Sequence, residues 1–115
     1  MISKKVDELN PWEFFDVMND ENGNVLVVDV REMDEYIGDM GHIRSSINIP
    51  LGDIPKHLQE FKNYGRIAFV CNTGDRSYFA CRYLMDNGIS QVMHLKGGIV
   101  QWHLSGLEVD YSQKI

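Results

Sequence analysis

The chain has 115 residues, a length that fits one domain and leaves little room for a second. Hydrophobic residues make up 43%, enough for a real core and unlike a disordered chain, while a net charge of −6 argues against a general nucleic-acid binder. No apolar run approaches the ~20 residues of a membrane span, and Met1-Ile2-Ser3-Lys4-Lys5-Val6-Asp7 lacks the apolar centre of a signal peptide. Two cysteines without a secretion signal point to free thiols in a reducing compartment, so a cytoplasmic location is expected.

Asn10-Pro11-Trp12-Glu13 reads as a helix start, with Asn10 as cap, Pro11 at the first helical position and Glu13 completing a capping box. Pro11, Phe14, Phe15 and Met18 give that helix one apolar face, and Asn22-Gly23-Asn24 ends it. Val25 to Val30 is a nearly continuous apolar, β-branched run, as in a strand buried on both faces of a parallel sheet. Asp29 and Arg31 stand at its carboxyl end, where sites lie in open parallel sheets. They are read either as an ion pair or cap for a short helix over Glu32 to Ile37, or as substrate contacts. Gly41-His42-Ile43 is a turn, which His42 holds by a side-chain hydrogen bond rather than serving as a base. Ile47 to Pro50 is a short strand.

Asp53-Ile54-Pro55 opens another helix, with Leu51, Ile54, Leu58 and Phe61 on one side and Gly65 as terminator. Arg66 to Cys71 is the next strand, and a helix over Ser77 to Asn87 follows it. Val92 to Leu95 is the last core strand and Gly97 to His103 a final short helix with Trp102. The tail from Leu107 to Ile115 has no clear pattern and is expected to fray. Strands alternating with helices imply an α/β domain with a mainly parallel sheet covered on both faces.

The informative stretch is Cys71-Asn72-Thr73-Gly74-Asp75-Arg76-Ser77, where a thiol stands between the end of a strand and the start of a helix. Backbone N–H groups of such a turn and of a first helical turn lack intrahelical partners and can converge on an anion. A cysteine there is expected to have a lowered pKa and to act as a thiolate nucleophile. His57, His94 and His103 share no ligand spacing with one another or with the cysteines, so no metal site is expected; no cofactor is expected either.

The Cys71 to Ser77 loop resembles the active-site loop of the rhodanese family of sulfurtransferases. Asp29-Val30-Arg31 with Glu35 is similar to the family's D-x-R segment. Gly41-His42-Ile43 followed by Ile47-Asn48-Ile49-Pro50 resembles its G-H-I-x-G-A-x-N-I-P turn, and Leu95-Lys96-Gly97-Gly98 with Trp102 its late G-G-x-x-x-W. The resemblance spans Ser3 to Gly106; Ser45 and Ser46 depart from it, standing where the family has Gly and Ala. It implies a three-layer domain with a central five-stranded sheet. Cys71 is the expected nucleophile, Asn72, Thr73, Gly74, Asp75, Arg76 and Ser77 the substrate-binding loop, and Asp29 and Arg31 its support. Arg76 is read either as a solvated side chain or as a substrate contact.

Three chemistries compete for this loop. In sulfur transfer, Cys71 takes sulfane sulfur from a small anionic donor such as thiosulfate and passes it to cyanide, a thiol or a persulfide-exchanging protein. Cysteine-dependent phosphatases have five residues between Cys and Arg, whereas here only Asn72, Thr73, Gly74 and Asp75 intervene, a smaller cradle. A non-catalytic binding or regulatory module is the third reading, disfavoured by the intact Cys71. Cys81 is read as a small core residue that does not pair with Cys71.

Overall fold

The computed structural model describes residues 4–111. Its centre is a five-stranded, wholly parallel sheet in the order β1-β5-β4-β2-β3, formed by β1 (Asp7–Leu9), β2 (Val25–Asp29), β3 (Ile47–Asn48), β4 (Arg66–Val70) and β5 (Val92–Leu95). The helices are α1 (Pro11–Met18), α2 (Met33–Tyr36), α3 (Leu58–Phe61), α4 (Asp75–Asp86) and α5 (Gly98–Leu104).

Strand β4 lies in the middle and alternates its burial. Ile67 and Phe69 join Ile54, Phe61, Ala80, Cys81 and Leu84 on one face, whereas Ala68 and Val70 join Phe14, Ile99 and Trp102 on the other. A strand with both faces covered has no solvated side, so its sequence is a continuous apolar run and not an alternating one. Each fully buried large side chain contributes about 1.5–3 kcal/mol, and Phe14, Phe69, Leu84, Leu95 and Ile99 have no exposed surface.

The expected capping box on α1 is present. Glu13 N–H donates to Asn10 Oδ1 at 2.9 Å, and Asn10 N–H to Glu13 Oε1 at 2.8 Å. The segment from Leu51 departs from expectation. Leu51–His57 is a 3-10 helix with Pro55 inside it, and only Leu58–Phe61 is α-helical. Pro55 has no N–H to donate, which suits a tighter, irregular turn better than an α-helix interior.

Strand β1 was not foreseen, because Asp7-Glu8-Leu9 has no apolar alternation; it forms as an edge paired only to β5. The tail also differs from expectation. Leu107 and Val109 pack on the Trp102 side of the core, Trp102 Nε1–H donates to Glu108 O at 2.9 Å, and His42 and Asp110 form an antiparallel bridge. Apolar cover for the edge of a core decides this, not local propensity. The rest of the expected fray, residues 112–115, lies outside the described residues.

The turn after α2 accommodates both departures from the family motif. Ser45 takes φ +75°, the left-handed region that a glycine enters without strain, and Ser46 Oγ donates to Ile43 O at 2.6 Å. His42 holds the same turn as expected, with Nδ1 2.9 Å from Tyr36 O and its ring stacked on Tyr36 at 4.0 Å.

Candidate active site

The connections after β2 and β4 lead to opposite sides, β2 to β3 and β4 to β5, so the carboxyl edge between them is a topological switch point. Cys71 directly follows β4. Helix α4 begins at Asp75, two residues earlier than expected, because Gly74 at φ +111° turns the chain sharply enough to start it there. Gly74 N–H and Ser77 N–H then point at Cys71 Sγ, at 3.1 and 3.3 Å. The sulfur is 1% exposed by residue, under the open first turn of a twelve-residue helix. Two convergent donors and a helix N-terminus favour negative charge at that point.

The loop is held from behind by the start of α5. Ile99 N–H donates to Cys71 O at 2.9 Å and Val100 N–H to Asn72 O at 3.2 Å. That approach requires a residue without Cβ at position 98. Gly98 has φ +62°, and an added Cβ would overlap the Asn72 carbonyl and stand 2.5 Å from Cys71 O. Thr73, Gly74 and Asp75 line one wall of a cleft of about 600 Å³ whose other walls include Glu8, Asn10 and Lys96.

Arg76 is partly exposed and is held by Glu35. Its Nη1 and Nη2 donate to Glu35 Oε1 and Oε2 at 2.6 and 2.9 Å, a bidentate pair joining α2 to the first turn of α4. The Arg76 guanidinium holds the Glu35 carboxyl down from the ordinary 4.5 to about 2, against the opposing effect of burial. Because the folded-state value is lowered, the pair stabilises the fold above the ordinary carboxylate range. That contribution is lost as pH falls through about 2. Both side chains are about one-third exposed, so screening leaves roughly 1 kcal/mol or less. Urea unfolding of Glu35→Gln is expected to show that deficit at pH 7, shrinking toward zero in strong acid. A deficit that persists unchanged at low pH would assign it to packing instead.

Asp29 and Arg31 form the ion pair. Arg31 Nη2 lies 2.8 Å from Asp29 Oδ2, with both residues at 1% exposure or less. Arg31 Nη2 also donates to Gly41 O at 2.7 Å, and Asn48 Nδ2 donates to Asp29 O and Arg31 O at 3.0 and 2.8 Å. Their bonds therefore fix the β2 end and the Gly41 turn, with charges that burial would otherwise make costly. Cys81 is buried in the core, burial pushes its thiol up, and both cysteines are free. Among the described residues no cluster of His, Cys, Asp or Glu could hold a metal ion.

Sequence reasoning missed His94. Its Nδ1 lies 2.8 Å from Ser77 Oγ, which in turn lies 3.4 Å from Cys71 Sγ. The only sequence sign was a polar residue inside the last apolar strand.

Comparison with known proteins agrees with this fold. The family described as Rhodanese-like domain matches residues 15–105. A sulfurtransferase from Allochromatium vinosum is 36% identical over 75% of this chain and 78% of its own. A solved rhodanese-like domain protein from Staphylococcus aureus is 33% identical, with a TM-score of 0.74 over 90% of this chain and 98% of that one. A rhodanese-related protein from Thermoplasma volcanium is 28% identical, with a TM-score of 0.78 over 91% and 98%. With the parallel sheet, the cysteine after its central strand and these matches together, the chain belongs to the rhodanese-like domain family.

Proposed function

We propose that the protein is a sulfurtransferase that carries sulfane sulfur as a persulfide on Cys71. The observation that carries this reading is Cys71 Sγ beneath the N–H groups of Gly74 and Ser77. Cys71 thiolate attacks the outer sulfur of thiosulfate or a comparable anionic donor. A new S–S bond forms, the donor's S–S bond breaks, and sulfite leaves with the electron pair. Gly74 N–H and Ser77 N–H, which donate to Cys71 Sγ, then favour the negative charge of the persulfide. Cyanide or a thiolate, free or on a partner protein, attacks that terminal sulfur and restores the Cys71 thiolate. The two half-reactions share one enzyme form, so ping-pong kinetics are expected. Cys81 is not a resolving thiol, being buried at the centre of the core.

Intact mass after incubation with thiosulfate tests the reading. A gain of one sulfur atom, mapped to Cys71 and removed by cyanide, is the expected result. Folded protein that gains no sulfur from thiosulfate or from a low-molecular-weight persulfide would overturn it.

A further inference from the structure

Cys71 has to lose its thiol proton before it can attack, yet the residue is 1% exposed. The sulfur's side-chain neighbour is Ser77, itself fully buried, with Oγ 3.4 Å from Sγ. Ser77 Oγ also lies 3.2 Å from Gly74 O and 2.8 Å from His94 Nδ1, the shortest of the three contacts. His94 is 1% exposed, and its Nε2 stands 3.0 Å from Glu8 Oε2, off the ring N–H direction, so that nitrogen has no well-formed hydrogen bond among the described residues. Glu8 faces His94 in register across the β1–β5 pair, is about half exposed, and lines the 600 Å³ cleft. A line of polar atoms thus leads from the buried sulfur to Glu8 at the cleft, and its last step, Nε2 to Glu8, needs a small rotation of ring or carboxylate to align.

We propose that Ser77, His94 and Glu8 form a proton path that empties the Cys71 thiol into the cleft, with His94 as a positioning residue acting through Ser77. In the thiol state, Sγ–H donates to Ser77 Oγ, Ser77 O–H donates to His94 Nδ1, and Nε2 carries the ring proton toward Glu8. The Sγ proton moves to Ser77 Oγ, the Ser77 proton to Nδ1, and the Nε2 proton to the Glu8 carboxylate and on to water. The end state has Nδ1–H donating to Ser77 Oγ and Ser77 O–H donating to the sulfur anion. His94 is neutral at both ends, and its tautomer matches the charge on sulfur. Burial holds His94 below the ordinary imidazole range, with Glu8 opposing, which suits a ring that passes a proton and does not keep it. The other groups around His94 are Tyr78 on α4, with ring centroids 6.1 Å apart, and Cys71, reached through Ser77; Lys96 follows the end of β5.

The role rests on Cys71 being the reactive thiol, and alkylation tests it without a sulfur donor. Iodoacetamide modification of Cys71 is followed by peptide mass spectrometry from neutral to alkaline pH in the parent, His94→Asn and Glu8→Gln. Asn at position 94 can hold the Ser77 hydroxyl on its Oδ1, away from sulfur, and has no tautomer that reverses that bond as the sulfur ionises. His94→Asn is expected to react about tenfold more slowly at neutral pH, the equivalent of losing roughly one hydrogen bond to the anion. It is expected to converge with the parent at alkaline pH. Glu8→Gln removes the carboxylate that favours Nε2–H, and with it the thiol state, so it is expected to shift the opposite way by a smaller factor; lying on an edge strand at the surface, it keeps the test valid if His94→Asn does not fold. Profiles that superimpose on the parent, or a loss equal at every pH, would overturn the path. A parent that alkylates as expected but never forms a persulfide would instead overturn the proposed function alone.

Discussion

Cys71→Ser is expected to abolish sulfur transfer while leaving the fold intact. The serine hydroxyl fits the same space and can accept from Gly74 N–H and Ser77 N–H in place of sulfur. It is nonetheless a poor nucleophile without a strong base, and it cannot form a persulfide. Loss of a covalent nucleophile commonly costs on the order of a thousandfold or more, so turnover with thiosulfate and cyanide falls to background. Stability changes by about 1 kcal/mol or less, since a buried thiol is exchanged for a slightly smaller hydroxyl with partners nearby. Steady-state turnover and thermal unfolding measured on the same preparation check both halves. Near-parental activity would remove the central role of Cys71, and an unfolded variant would show that the sulfur is needed for packing.

Gly98→Ala is the second large effect, and it acts on the loop through its support. Position 98 has φ +62°, a conformation costing an L-residue about 1–2 kcal/mol. The added methyl would also meet backbone, the carbonyls of Asn72 and Cys71, and not the flexible end of a side chain. Relieving that contact requires breaking the Ile99 to Cys71 and Val100 to Asn72 hydrogen bonds. Overpacking of this kind costs about 1–3 kcal/mol, so the sum, about 3 kcal/mol or more, is a large part of a typical domain's stability. Gly106→Ala separates the two causes. Gly106 has φ +79° with nothing within 4 Å of an added Cβ, so it carries the strain alone. Urea unfolding is expected to rank Gly98→Ala well below Gly106→Ala, and folded Gly98→Ala should load sulfur poorly. Equal stabilities for the two variants would show that the loop yields and that its seat on α5 does not matter.

The local features were legible because their causes are local. Asn10 and Glu13 are three residues apart and cap the same turn, so the pair can be read without knowing what α1 packs on. The apolar runs of β2 and β4 mark strands buried on both faces wherever those strands sit in the sheet. The loop geometry was legible for the same reason: Cys71, Gly74 and Ser77 lie within seven residues, and a strand-to-helix turn brings the N–H groups of Gly74 and Ser77 onto the sulfur.

What stayed hidden was spread along the chain. Glu35 and Arg76 are 41 residues apart, and nothing near either one says that α2 will stand beside the start of α4. His94 is 17 residues beyond Ser77 and faces Glu8 only because β5 lies between β4 and β1. Asp7-Glu8-Leu9 is a strand only because the β5 edge offers it hydrogen bonds, and Leu107 and Val109 are ordered because the Trp102 side of the core needs cover. The sequence alone therefore determined strands β2 to β5, the α1 cap and the cysteine loop, each set by groups within a turn or two of one another. Only the tertiary structure decided what surrounds the sulfur beyond its own loop. Strand order and helix docking are fixed by burial summed over the whole sheet, and no short window of residues contains that sum.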